Sequence, residues 1–123
     1  MRVLSVLVAL ASFTTSQARA QDPTVVDSRH YRVVFENDQV RVLRITYGPH
    51  ERSVMHDHPA GVVVFLTDQR GKFTLPAGQT VEIAGRAGEA IWTEAGAHLP
   101  ENLGNEPFEL ILVEIKTPPA RAR

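Results

Sequence analysis

The residues best suited to chemistry in this chain are histidines. In the stretch Gly48-Pro-His-Glu-Arg-Ser-Val-Met-His-Asp-His-Pro59, His56 and His58 stand two positions apart, just ahead of an apolar run. On an extended strand successive side chains point to opposite faces, so an i, i+2 pair presents both imidazoles on one side. That spacing makes a chelating pair. A third candidate lies much later, in Gly88-Glu-Ala-Ile-Trp-Thr-Glu-Ala-Gly-Ala-His98-Leu-Pro-Glu-Asn102, where His98 follows a glycine turn beside a short apolar segment. Together His56, His58 and His98 would hold a divalent metal ion through neutral nitrogen donors. Imidazole suits Zn, Fe, Cu and Ni about equally well, and the residue types do not distinguish among these or Mn. The chain has no Cys, which excludes disulfides, thiolate metal sites and a lipid-modified N-terminal Cys. Any metal site is therefore built from His, carboxylate and water.

Other groups could serve such a site. Glu94 and Glu101 flank His98 and are the candidate general acid or base; the alternative is that both are solvated loop carboxylates. Tyr47 and Trp92 are candidate walls of a ligand pocket, or simply core. His30 and His50 read as surface residues, with His50 a remote candidate for a fourth ligand.

The elements that must position these groups are strands. His30-Tyr-Arg-Val-Val-Phe35 and the β-branched run Val40 to Tyr47 flank the turn cluster Glu36-Asn-Asp-Gln39, which predicts a hairpin ended by Gly48-Pro49. Gly61-Val-Val-Val-Phe-Leu-Thr67 is apolar on both faces and suits a central strand. Asp68 to Gly71 reads as a turn, Lys72 to Leu75 as a short strand, Pro76 to Gly78 as a turn, and Thr80 to Ile83 as an alternating strand. Ala90 to Trp92, Glu101 to Leu103 and Phe108 to Ile115 follow as further strands. Short strands at such regular turn intervals, with no helical periodicity after residue 20, indicate one all-β sandwich or barrel.

At either end the pattern changes. Arg2, an apolar run from Val3 to Phe13 and the small-x-small site Ala18-Arg-Ala20 read as a signal peptide over residues 1–20, with an N-terminal core helix as the alternative. The apolar run is too short for a membrane span. Cleavage after Ala20 would make the protein periplasmic or secreted; it removes Arg2 and Arg19 and no acid, moving the formal net charge of −1 by two units to −3. Residues 21–29 read as an arm or edge strand, 30–116 as the barrel, and 117–123, with Pro118-Pro119, as a loose tail. Lys and Arg are scattered among Asp and Glu without a basic stripe, so nothing points to nucleic acid.

These residues resemble the cupin family of small β-barrels. Gly48, His56, His58 and Gly71 take the places of the first cupin motif; Gly88, Gly96, His98 and Asn102 take those of the second, with Glu94 where a Pro is usual and one residue fewer between the motif's Gly and His. The resemblance covers roughly Tyr31 to Lys116 and implies a double-stranded jelly roll. The metal-binding Glu of the first motif would fall at Val62 or Val63, so the resemblance implies a three-His variant without that Glu, a pattern also seen in cupin thiol and diketone dioxygenases. It also implies a homodimer, to which an arm such as Thr24 to Arg29 would contribute by adding a strand to a neighbour's sheet edge.

Three functions follow as alternatives. The first is an exported metal-dependent enzyme acting on a small oxygen-rich molecule by oxygenation, isomerisation or hydrolysis. The second is a non-catalytic small-ligand-binding barrel, and the third a metal-free structural barrel. Fold does not choose among them.

Overall fold

The computed structural model describes residues 21–117. The expected signal peptide and all of the expected tail beyond Thr117 lie outside the described residues. The hairpin forms as its sequence predicts: Tyr31–Glu36 (β1) pairs antiparallel with Val40–Tyr47 (β2), Tyr31 facing Ile45. Asn37 shapes the turn, its Oδ1 accepting hydrogen bonds from the amides of Gln39 and Val40 at 2.8 Å.

The remaining strands are His56–His58 (β3), Gly61–Phe65 (β4), Gln69–Thr74 (β5), Thr80–Gly85 (β6), Ala90–Thr93 (β7), Gly96–Asn102 (β8) and Phe108–Ile115 (β9). They form two sheets, one of five strands in the order β1-β2-β9-β4-β7 and one of four in the order β3-β8-β5-β6. The chain passes back and forth between the sheets, so strands distant in sequence become neighbours, as in a jelly roll. The all-β barrel expected from the turn spacing is the fold observed.

The core is lopsided. Tyr31, Leu43, Ile45, Tyr47, Phe65, Phe108, Leu110 and Leu112 make up the buried hydrophobic cluster, and all belong to the five-stranded sheet. Strict alternation on β9 turns Phe108, Leu110 and Leu112 inward, and with them Glu114. Against this face the smaller sheet presents imidazoles.

Several local expectations are corrected. Residues 69–71, read as part of a turn, begin β5: Gln69 pairs with Gly85 and Gly71 with Ile83. Their polar and glycine character mimics a turn, yet all three pair with β6, and Gly71 also with Asn102 of β8. The expected strand Glu101 to Leu103 is instead β8 from Gly96, running through Pro100, because pairing with both β3 and β5 draws this segment into the sheet. The arm is not extended either. Pro23–Val26 forms one helical turn (α1) capped by Asp22, whose side chain accepts from the Thr24 amide at 2.9 Å, with Pro at the first helical position. This segment lies on its own barrel: Asp22 pairs with Arg41 at 2.7 Å, and the Gln21 carbonyl accepts from the Asp57 amide at 3.2 Å.

Candidate metal centre

The two strands that carry the histidines are neighbours. β3 pairs with β8 so that His56 stands directly opposite His98, and His58 follows on the same face of β3. Period-two geometry on one strand and register across two thus gather three residues from distant parts of the chain. One ligand nitrogen from each lies within 4.8 Å of the others. The rings meet edge to face, with centroids 4.8 Å apart for His56 and His58, 5.0 Å for His56 and His98, and 5.2 Å for His58 and His98.

The outer nitrogens fix the tautomers. His56 Nδ1 lies 2.8 Å from the carbonyl oxygen of Val54, which only accepts, so Nδ1 carries the hydrogen. His58 Nδ1 donates likewise to Glu114 at 2.8 Å. In the neutral rings both Nε2 atoms then hold lone pairs, and these face each other at 3.1 Å. The Nε2 of His98 is buried without a hydrogen-bond partner. Lone pairs so placed repel one another unless a cation lies between them. This donor set fits a divalent ion.

Electrostatics keep His56 and His98 unprotonated. Burial, reinforced by the charge His58 would carry, pushes the pKa of His56 down to about 4. Burial, then the charges of His58 and His56, pushes that of His98 down to about 3. Behind His58, burial works to raise the pKa of Glu114, but hydrogen bonds from His58 and Arg41 outweigh it and hold the carboxyl below its ordinary value. Glu114 accepts from Arg41 Nε at 2.6 Å, and Arg41 reaches on to Asp22. A chain of alternating charge therefore backs the site.

Sequence reasoning missed this carboxylate. No acid replaces the motif Glu nearby in sequence, but Glu114 arrives from β9, opposite Gly61. The signal was legible: in Phe108 to Ile115, Glu114 shares a face with three apolar residues, and a buried acid needs a partner. Of the two valines at the motif position, Val63 lines the interior and Val62 faces out, paired with Trp92. The expected surface position of His30 is also corrected. It is buried, stacked on Tyr47 at 4.3 Å between ring centroids, with Nδ1 at 2.7 Å from Asp27 and Nε2 at 2.7 Å from Glu51. His50 is exposed, bonded to Asn105.

A cavity of about 90 Å³ adjoins the imidazoles, lined by His58 and His98 and by Tyr31, Tyr47 and Phe73 among others. Tyr47 is buried there, its hydroxyl 2.6 Å from that of Tyr31. The structure does not bring the other candidates to this space. Trp92 is 55% exposed and donates to Glu94 at 2.9 Å; Glu101 pairs with Lys72 at 3.2 Å. Asn102, a motif residue, acts as a tie: its Nδ2 donates to the carbonyls of Gly48 at 3.0 Å and Glu106 at 2.8 Å, and its Oδ1 accepts from Gly104 at 2.8 Å.

No protein-family model matches the sequence, and no curated protein matches it significantly. Solved structures do match. A cupin domain from Bordetella pertussis Tohama I superposes with a TM-score of 0.66 at 25% identity, over 71% of this chain and 92% of that one. The chain has a cupin fold. A conserved double-stranded β-helix protein from Klebsiella pneumoniae subsp. pneumoniae matches at TM-score 0.56 and 20% identity, over 69% and 74% of the two chains. An RmlC-like cupin from Methanocaldococcus jannaschii matches at TM-score 0.56 and 13% identity, over 69% and 77%. In this cupin barrel the three imidazoles sit on the inner face of the smaller sheet, and His58 and His98 line the cavity.

Proposed function

We propose that this cupin is an exported protein that binds a divalent metal through His56, His58 and His98 and holds a small oxygen-rich molecule against it. The observation that carries the reading is the set of imidazoles itself: two have their outer nitrogens committed, and the third has a buried Nε2 with no partner. A bound divalent ion would supply Lewis acidity, with the charge left uncompensated by three neutral ligands favouring anionic or chelating molecules. The protein's own part is to orient the rings through Val54 and Glu114 and to wall off water with Tyr31, Tyr47 and Phe73. Export rests on residues 1–20. Gln21, first after the expected cut, keeps its bond to Asp57 in a chain that starts there.

Elemental mass spectrometry on protein purified without chelating resin tests the metal reading. Near-stoichiometric metal in the wild type, lost in His56→Ala, His58→Ala and His98→Ala, is the expected result. A metal-free wild type that takes up no added divalent ion would overturn it and leave the structural barrel. Turnover of ligand by the loaded protein separates enzyme from binding module.

A homodimer is part of the same proposal, but not through an extended arm. On the outer face of the larger sheet, Phe35, Val42, Val113, Val62 and Trp92 align across all five strands. The row is aromatic at both ends and valine between, so a twofold axis parallel to β9 sets it against itself, Phe35 on the partner's Trp92. With five strands about 4.8 Å apart and up to eight residues rising about 3.3 Å each, the face offers about 600 Å² per copy, enough for a small stable interface. A dimeric mass by light scattering at micromolar concentration, reduced to a monomer by Phe35→Glu with Trp92→Glu, is expected; a monomeric wild type refutes it.

A further inference from the structure

Among the described residues two buried side-chain polar atoms have no hydrogen-bond partner: Nε2 of His98 and Oε1 of Gln69. Both residues line the same cavity. The first is accounted for by a metal ion. The second is not, because Gln69 belongs to β5 rather than to the histidine strands. Among the other polar groups on the walls, the hydroxyls of Tyr31 and Tyr47 bond each other and His58 is committed to Glu114. The rest of the lining is largely apolar, including Val63, Phe65, Ile83 and Leu112. A lone acceptor buried in such a wall is unfavourable until something donates to it.

We propose that Gln69 selects the ligand: its carbonyl oxygen accepts a hydrogen bond from a donor on a small molecule whose other end binds the metal ion. This rests on the metal reading above. The cavity, about 90 Å³, is smaller than the 150 Å³ or so that admits benzene, which restricts the buried part of the ligand to a short chain. The ligand class is a compact molecule with an anionic metal-binding head and, a few bonds away, a hydroxyl or N–H group. An analogue with a methyl group in place of that donor leaves Oε1 unpaired and binds more weakly.

The test uses the full chain loaded with cobalt(II) and two probes, 2-mercaptoethanol and propane-1-thiol, which differ only in a terminal hydroxyl or methyl. Thiolate-to-cobalt absorption reports binding of each without requiring turnover. The wild type is expected to favour the hydroxyl probe, and Gln69→Met to shift the ratio of dissociation constants by about tenfold toward the methyl probe. Gln69→Glu keeps an acceptor oxygen and retains the preference, with thermal melts of both variants confirming the fold. An unchanged ratio in Gln69→Met, or no thiol signal from the cobalt protein, overturns the proposal while leaving the metal site standing. Absence of cobalt uptake overturns the metal reading, and this one with it.

Discussion

Glu114 is the residue on which the poise of the imidazoles turns. It holds His58 in the tautomer that aims Nε2 inward, and Arg41 in turn holds Glu114. Glu114→Gln keeps an acceptor for His58 but removes the charge, and is expected to weaken zinc binding about 10- to 100-fold in a chelator competition titration. Glu114→Ala strips the half-buried Arg41 of one of its two carboxylates and leaves buried His58 without its acceptor, and is expected to cost about 3 kcal/mol in denaturant unfolding. The buried imidazoles also set a pH dependence for the metal-free protein. Both His56 and His98 have folded-state pKa values below the ordinary 6.5, so as pH falls the unfolded chain takes up protons first. Stability is therefore untouched by these groups above pH 6.5. It declines below, by about 1.4 kcal/mol per pH unit for each imidazole, until the folded values near 4 and 3 are reached. Glu114, with its lowered pKa, acts in the same direction at the acid end. Urea titrations at pH 7, 6 and 5 check the slope; a flat profile contradicts it.

The elements place these residues through close backbone contacts. β4 runs so near β9 that a Cβ at Gly61 would strike the carbonyl oxygen of Val113, next to Glu114. Gly61→Ala is expected to lower stability by about 1–3 kcal/mol and to weaken metal binding as β9 shifts. Asn102 makes three hydrogen bonds that join the loop before β3 to the loop after β8. Asn102→Ala leaves those backbone groups without their partner and is expected to cost about 2–3 kcal/mol by thermal unfolding, with metal affinity changing less than in Glu114→Gln. At this scale the sequence was readable where pattern is local. Asn37 and its neighbours gave the hairpin turn, and Phe108 to Ile115 gave β9 with its observed ends. It misled where neighbours overrode composition, as in residues 69–71, paired with β6, and at Pro100, paired with Phe73 of β5.

At the scale of the molecule, binding of a metal would couple to the fold. β3 is only three residues long and is anchored by its pairing with β8 and by the segment around Gln21. A cation on all three imidazoles ties β3 to β8 a second time. Free zinc at 100 times its dissociation constant is expected to add about 2.7 kcal/mol to the unfolding free energy, seen as a raised melting temperature that the His56→Ala, His98→Ala double variant no longer shows.

The sequence by itself determined most of the strands, the all-β class and the three histidines, because alternation and turn residues act locally and an i, i+2 spacing fixes the face of a strand. Only the tertiary structure decided what stands behind and before them. His58 meets Glu114 and His56 meets His98 across strands far apart in sequence, His30 is buried against Tyr47, and Gln69 comes to share a cavity with His98. Such meetings depend on sheet order and register, which emerge from how the two apolar faces pack together and leave no trace in any short stretch of chain.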